Sequence, residues 1–436
     1  MVSSSDLGGC DPTRMILGLG YWVQGLRCFP WMAVSFFLKD GLNVDPATLQ
    51  LLQNSANLPM VAKPLYGVVS DSVYLSGQHR LPYIAIGVFL QAVSWLAIAI
   101  LSPSSISVIT IYLLFSNLGA SIAEVANDAI VAETGKQPSS KSKNSQSSPS
   151  GELQSFVWMA SSAGGVLGNL LGGVAIDRFS PQSMFLIFGL LLALQFFITI
   201  SFRESSLKLP KSPSNIGIRK QLSELSIVLR KPEIAYSIAW FAVSYAIIPA
   251  LTGTMFFYQT QYLKIDSAVL GISKVFGQAA MLLWSIIYNR LLKSVPPRKL
   301  IAAIQVLMAV FMVSDVLFVK EIYRDLGVPD SLYVVLFSGL LEVLFFFKIL
   351  PFSVLIAQLC PPGCEGSLMA FVMSAIALAF IVSGYLGVAL ASSLGVTGND
   401  FSGFPLGLLI QAVCTILPLF WSSYIPDVAK SKTRNE

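Results

Sequence analysis

Apolar residues do not alternate along this chain. They come in long unbroken runs separated by short polar breaks. Residues 81–123 carry no charged side chain, and Ser102-Pro103-Ser104-Ser105 divides them into two lengths. Residues 179–202, 234–263, 366–399 and 401–426 are also free of charge. A helix needs about 20 mostly apolar residues to cross a bilayer, whereas a barrel strand alternates over about ten. The pattern therefore predicts an all-α membrane protein. It places twelve spans near 15–38, 49–69, 82–101, 106–131, 153–176, 183–202, 234–258, 268–288, 300–319, 332–358, 366–390 and 404–425.

The polar breaks set the organisation. The longest, "RESSLKLPKSPSNIGIRKQLSELSIVLRKPE" at 203–233, is basic and rich in Pro and Ser. It separates an N-terminal six-helix bundle (1–202) from a C-terminal one (234–426), which is followed by a basic tail at 427–436. Leu222, Leu225, Val228 and Leu229 share a helical face there, as in a helix lying along the membrane surface. The segment 136–152 has seven serines between 139 and 150 and no apolar residue. It buries too little to offset the entropy of ordering, so disorder is expected.

Composition agrees. The 436 residues are 54% hydrophobic and 12% charged, against about 25% charged in a soluble domain. Lys and Arg are distributed unevenly: nineteen fall on the side that holds both termini and five on the other. The positive-inside rule then puts both termini in the cytoplasm, or in the stroma of a plastid. The net charge of +5 reflects this topology, and nothing in it suggests nucleic-acid binding. The first fourteen residues lack a basic region followed by an apolar core, so no cleavable secretory signal is expected. The five cysteines are scattered, and Cys360 and Cys364 have no third ligand near them in sequence, so no metal or other cofactor is expected.

One loop carries a recognisable pattern. In "KPLYGVVSDSVYLSGQHRLPY" (63–83), Gly67 and Asp71 are followed by Gly77, His79 and Arg80, including the only histidine. Lys63 and Pro64 close the second span. Gly67 would let two helices approach, Asp71 would sit at a helix end, and Arg80 would reach a carboxylate. Such a cluster could latch one conformation, or it could be a polar loop that stops two spans. The lone histidine, partly charged near neutral pH, would add pH sensitivity. Twelve spans in two halves with this loop resemble the major facilitator superfamily. "YWVQGLRCFPWMAVSFFLKDGL" (21–42), "KPLYGVVSDS" (63–72), "EVANDAIVAE" (124–133) and "CPPGCEGSLMA" (360–370) narrow the resemblance to the folate–biopterin transporter family, found in plants, cyanobacteria and kinetoplastid parasites. Arg27-Cys28-Phe29-Pro30-Trp31 and Glu124 depart from that family's commoner residues.

Ionisable residues inside spans cost about 2.5–3.5 kcal/mol each at midplane and need a reason. They are Arg27, Glu124, Asp128, Lys274, Asp315, Glu342 and Lys348. Glu124 and Asp128 share one helix face and could carry a proton between them. Either could instead only bridge to Arg27. The resemblance implies that spans 1, 4, 7 and 10 line a central cavity, and that Arg27 and Lys348 are the cations offered to folate carboxylates. Glu342 would then accept from an aminopyrimidine edge, and Trp31, Trp240, Tyr245 and Phe346 could stack on the ring or merely pack. Gly164, Gly168 and Gly172 form a helix-packing face. The resemblance implies a monomeric alternating-access transporter of folates or pterins, with proton symport as a coupling mode, in a plastid envelope or another plant membrane. The alternatives are a transporter of another organic anion and a non-transporting sensor. A single histidine and no ligand cluster speak against an enzyme.

Overall fold

The computed structural model describes residues 11–75, 77–101, 105–135, 149–207, 223, 226–292, 295–359 and 365–425. The Ser-rich stretch at 136–148, most of the central loop, Cys360, Cys364 and the basic tail lie outside them. Among the described residues every regular element is helical, apart from one isolated bridge between Leu75 and Gln78. Nine of these helices are long and apolar enough to cross a membrane, from Leu81–Leu101 to Phe404–Tyr424.

The other three expected spans are helices in pieces, and prolines break them. A proline lacks an N–H, and its ring crowds the carbonyl four residues before it. Pro30 thus opposes Leu26, where the helix Pro12–Leu26 ends, and Cys28–Phe36 resumes beyond Arg27. Pro59 opposes Ser55, next to the end of Pro46–Ala56. Pro249 opposes Tyr245, next to the end of Pro232–Ala246. The same rule acts inside a longer span: Pro351 opposes Phe347, where Gly339–Phe347 stops before Ile349–Leu359.

Two compact units emerge from the packing. The first holds residues within 1–33, 65–171 and 179–218, and the second those within 34–64, 172–178 and 219–436. In the first, the helix Leu81–Leu101 packs on both Ile106–Gly135 and Pro181–Ser201. Trp95 is fully enclosed there, 5.5 Å from the Phe185 ring and edge-on to Phe188. The helix Pro149–Ile176 meets Pro12–Leu26 through glycine. A Cβ on Gly164 would lie 2.1 Å from the Trp22 carbonyl, and one on Gly25 2.0 Å from that of Ser161. The glycine face is thus a packing face.

The second unit is centred on aromatic stacking, with Phe241 and Phe352 3.7 Å apart and parallel within 3°. Val228 is buried in the same cluster, so this part of the amphipathic stretch packs into the core. Leu222 and Leu225 lie outside the described residues. One local device occurs twice in this unit. "FLKDGLNVDPATL" (37–49) and "YQTQYLKIDSAVL" (258–270) both open with a π-helical turn, Phe37–Gly41 and Tyr258–Tyr262. A left-handed residue follows in each, Asn43 (φ 50°) and Lys264 (φ 52°). The N–H groups of Val44 and Ile265 then return to the Leu38 and Gln259 carbonyls, and Asp45 and Asp266 cap the next helix. The aspartates satisfy N–H groups that a helix start leaves open.

Candidate functional site

The loop before Leu81 is a charge cluster built around Arg80. Gly77 turns the chain at φ +75°, where only glycine is unstrained. His79 and Arg80 are buried. The Arg80 guanidinium bonds Asp71 and Glu133, both at 2.5 Å, and donates to Ser70 Oγ at 2.8 Å. His79 stands between two acids, with Nε2 3.6 Å from Glu133 and Nδ1 2.7 Å from Glu204. Glu204 also accepts the backbone N–H groups of His79 and Arg80, both at 2.9 Å, and so caps the following helix. Glu133 and Glu204 raise the imidazole to a pKa of about 9. Burial alone would raise Glu204, but the His79 side chain and the two N–H donors outweigh it and hold the carboxyl at about 2. The expected partial charge of His79 near neutral pH is therefore corrected: the ring stays protonated there. Gly67 is also not needed for close approach, since a Cβ would meet only Val125 at an ordinary 3.5 Å. Lys63 starts the helix Lys63–Ser72 and is grouped with the second unit.

Within the first unit, Arg27 stands at the break made by Pro30. It donates to Glu124 at 2.8 Å and to Asn117 at 2.6 Å. The bridge left open between two carboxylates is thus made to Glu124. Asp128, one turn on, is exposed and accepts from the Tyr21 hydroxyl. Beside Arg27 lies a small cavity bordered by Gln24, Gln91, Asn127 and Gln195. Among the described residues, four buried polar atoms there have no protein partner: Gln24 Oε1, Asn127 Oδ1, Gln195 Oε1 and Arg27 Nε. A cation would meet the guanidinium, and an anion would meet amide oxygens. A water there would accept from the guanidinium and donate to two of the three amide oxygens.

Within the second unit, Lys274 and Glu342 form a 2.6 Å ion pair between two crossing helices. Its side chains are 40% and 54% exposed. Charged side chains within membrane-crossing helices characteristically face a bundle interior or a water-filled cavity rather than lipid. The helices touch at glycines one turn from the pair. A Cβ on Gly277 would lie 3.0 Å from the Gly339 carbonyl, and one on Gly339 2.7 Å from that of Ser273. Phe346, one turn after Glu342, is 42% exposed.

Lys348 turns elsewhere. It is fully buried, with Nζ 2.6 Å from Gln305 Oε1, 3.2 Å from Ser244 Oγ and 3.9 Å from the Tyr245 ring centre. Among the described residues it bonds no carboxylate. Trp31 lies edge-on to Trp95, and Trp240 is buried with its indole N–H on the Pro418 carbonyl. Tyr245 is buried and donates to the Phe345 carbonyl. Of the residues singled out from the sequence, the structure joins Arg27 to Glu124 and Asp71 to Arg80. It gives Glu342 a partner, Lys274, that sequence reading noted only as a buried charge. Glu133, Glu204 and Gln305 were missed as partners, because their contacts span 53, 125 and 43 residues.

A family model described as the BT1 family matches residues 24–436. The chain is 66% identical over 429 residues to "Probable folate-biopterin transporter 7" of Arabidopsis thaliana, covering 98% of this chain and 96% of that one. It is 28% identical to the "Folate-biopterin transporter" of Synechocystis, covering 95% and 83%. Among solved structures it resembles the nucleoside transporter NupG, with a TM-score of 0.68 at 14% identity over 95% of this chain and 98% of that one. It also resembles the POT family transporter PepTSo, with a TM-score of 0.71 at 12% identity over 98% and 99%. Both likenesses show the fold. A helical membrane protein with an exposed ion pair between two of its crossing helices, matched along nearly its whole length, belongs to the BT1 family of folate–biopterin transporters, which are transporters and not enzymes.

Proposed function

We propose that this chain carries a folate or a related pterin across its membrane by alternating access. The observation that carries this reading is the Lys274–Glu342 pair, which leaves a cation and an acceptor exposed within membrane-crossing helices. The names of the relatives supply the solute class. The repeat at 37–49 and 258–270 supports two related halves of six spans each, joined by the 203–233 loop. The Arg80 cluster latches one conformation, because its ion pairs tie the helix Lys63–Ser72 to Ile106–Gly135. The chain works as a monomer with both termini in the cytoplasm or stroma, following its Lys/Arg bias. Two relatives named chloroplastic make a plastid envelope the first membrane to examine. Any proton carrier is Asp128 rather than Glu124, since Asp128 is exposed and Glu124 is held by Arg27.

The test is uptake of labelled folic acid and biopterin into vesicles holding the purified chain, with and without an inward proton gradient. Saturable uptake of either supports the reading. No uptake of any pterin by correctly inserted protein overturns it.

A further inference from the structure

We infer that the Lys274–Glu342 pair reads the 2-amino-4-oxo edge of the solute's pyrimidine ring, and that Lys274 sets preference at ring position 4. This inference rests on the proposed pterin solute and goes on to say which atoms are recognised. The argument starts from spacing. Nζ of Lys274 and Oε1 of Glu342 are 2.6 Å apart, so a donor and an acceptor stand side by side. A 2-amino-4-oxo-pyrimidine presents the matching row along one edge: the amino group and the ring N–H donate, and the neighbouring carbonyl oxygen accepts. A carboxylate takes the first two as a bidentate acceptor, and an ammonium gives to the third. Neither group alone distinguishes this edge from others. Together they do.

The surroundings suit a flat ring. Glu342 and Phe346 are four residues apart on one helix, so they lie on the same face, one turn apart. Both are exposed, with Phe346 leaning on Phe380 at 5.8 Å between ring centres. An aromatic face beside a hydrogen-bonding edge is the usual way to hold a heterocycle. The pair is also placed rigidly. Gly277 and Gly339 each lie three residues from it and hold the two helices at backbone contact. A recognising pair on a fixed crossing is more precise than one on a loop.

The same spacing excludes another assignment. The carboxylates of a folate tail lie far along the molecule from the pyrimidine edge. Lys274 cannot hold the tail of a folate whose ring sits on Glu342. Lys274 therefore belongs to the ring, and a pterin without a carboxylate tail uses the same site.

Folic acid and aminopterin differ at position 4, where an oxo group is replaced by an amino group. The amino group offers Lys274 no acceptor, and the ring nitrogen beside it loses its hydrogen, so Glu342 also loses one of its two donors. The experiment is competition by each compound against labelled biopterin in vesicles, with wild type, Lys274→Gln, Glu342→Gln and Phe346→Leu, each checked for folding by size exclusion. Wild type is expected to favour folic acid by about tenfold or more, the worth of one charged hydrogen bond. Lys274→Gln should lower that ratio several-fold, because its amide can turn to donate or to accept, while the difference at the ring nitrogen facing Glu342 stays. Glu342→Gln should weaken both competitors by about tenfold. Phe346→Leu should weaken both and leave the ratio as it was. Biopterin uptake with the same folic acid to aminopterin ratio in wild type and Lys274→Gln overturns this inference alone. Unchanged competition in Glu342→Gln also overturns it. Wild type that takes up no pterin overturns the proposed solute as well.

Discussion

In the first unit the helix that ends at Leu26 sets Arg27 at a break, three residues before Pro30. In the second the helix that ends at Phe347 sets Lys348 at a break, three residues before Pro351. Both cations cap the C-terminal end of a helical segment, where the helix dipole favours positive charge. Both also reach an amide on a neighbouring helix, Asn117 for Arg27 and Gln305 for Lys348. There the likeness stops. Arg27 has Glu124 at 2.8 Å, whereas Lys348 is held by a hydroxyl, an amide oxygen and a tyrosine ring. A guanidinium keeps its charge and must be compensated in place. An amine can be held by neutral oxygens. The backbone device is common to the two sites, and the helices packed against it decide the electrostatics.

The largest expected effect breaks the paired site. Arg27→Met leaves Glu124 buried without its cation and should cost about 3–5 kcal/mol, read as a fall in the unfolding midpoint in detergent. Glu124→Gln in the same chain should restore most of that loss. If the double variant is as unstable as the single one, the ion pair is not what holds this site. Lys348→Met leaves the Gln305 and Ser244 oxygens without this donor, a loss of about 1–3 kcal/mol that methionine packing partly offsets. Equal losses at Arg27 and Lys348 would end the comparison.

Transport sharpens the contrast between the two acids of the first unit. Asp128→Asn should remove the effect of a proton gradient on uptake while leaving exchange of solute across the membrane in place. Unchanged coupling in that variant would remove Asp128 from the proton route. Pro30→Ala and Pro351→Ala restore a helix donor at each break and should raise stability by about 1 kcal/mol while slowing uptake. Faster uptake would mean that the breaks are not needed for motion.

The smallest effect concerns the loop cluster, where cations and acids meet outside the spans. The folded pKa of His79, about 9, lies above its ordinary 6.5. Its pairing therefore contributes stability fully below 6.5, and the contribution is lost as pH rises through 9. Glu204, lowered from 4.5 to about 2, contributes above 4.5 and loses its share as pH falls through 2. Melting curves should thus weaken from pH 7 to pH 10, and His79→Gln should flatten that slope. A slope unchanged by His79→Gln would assign it to other groups.

The membrane class and nine of the twelve expected spans were legible because a bilayer imposes one length and one polarity on a crossing helix. The family was legible from blocks in four spans. The breaks at 26 and 347 were present in the sequence as Pro30 and Pro351, since a proline acts on the carbonyl four residues back wherever it stands. The charges within spans could also be counted, because any charge in an apolar run stands out.

Partners could not be read in the same way. Arg27 had two carboxylates to choose from one turn apart, and only the packing of its helix selected Glu124. Lys348 and Lys274 look alike in sequence, each a lone lysine in an apolar run. Tertiary structure buries Lys348 against Gln305 and Ser244 and leaves Lys274 exposed beside Glu342. Local spacing governs where a helix starts, breaks and crosses. Which of its faces meets water, and which charge lies opposite, depends on neighbours tens to hundreds of residues away, and only the folded chain brings those together.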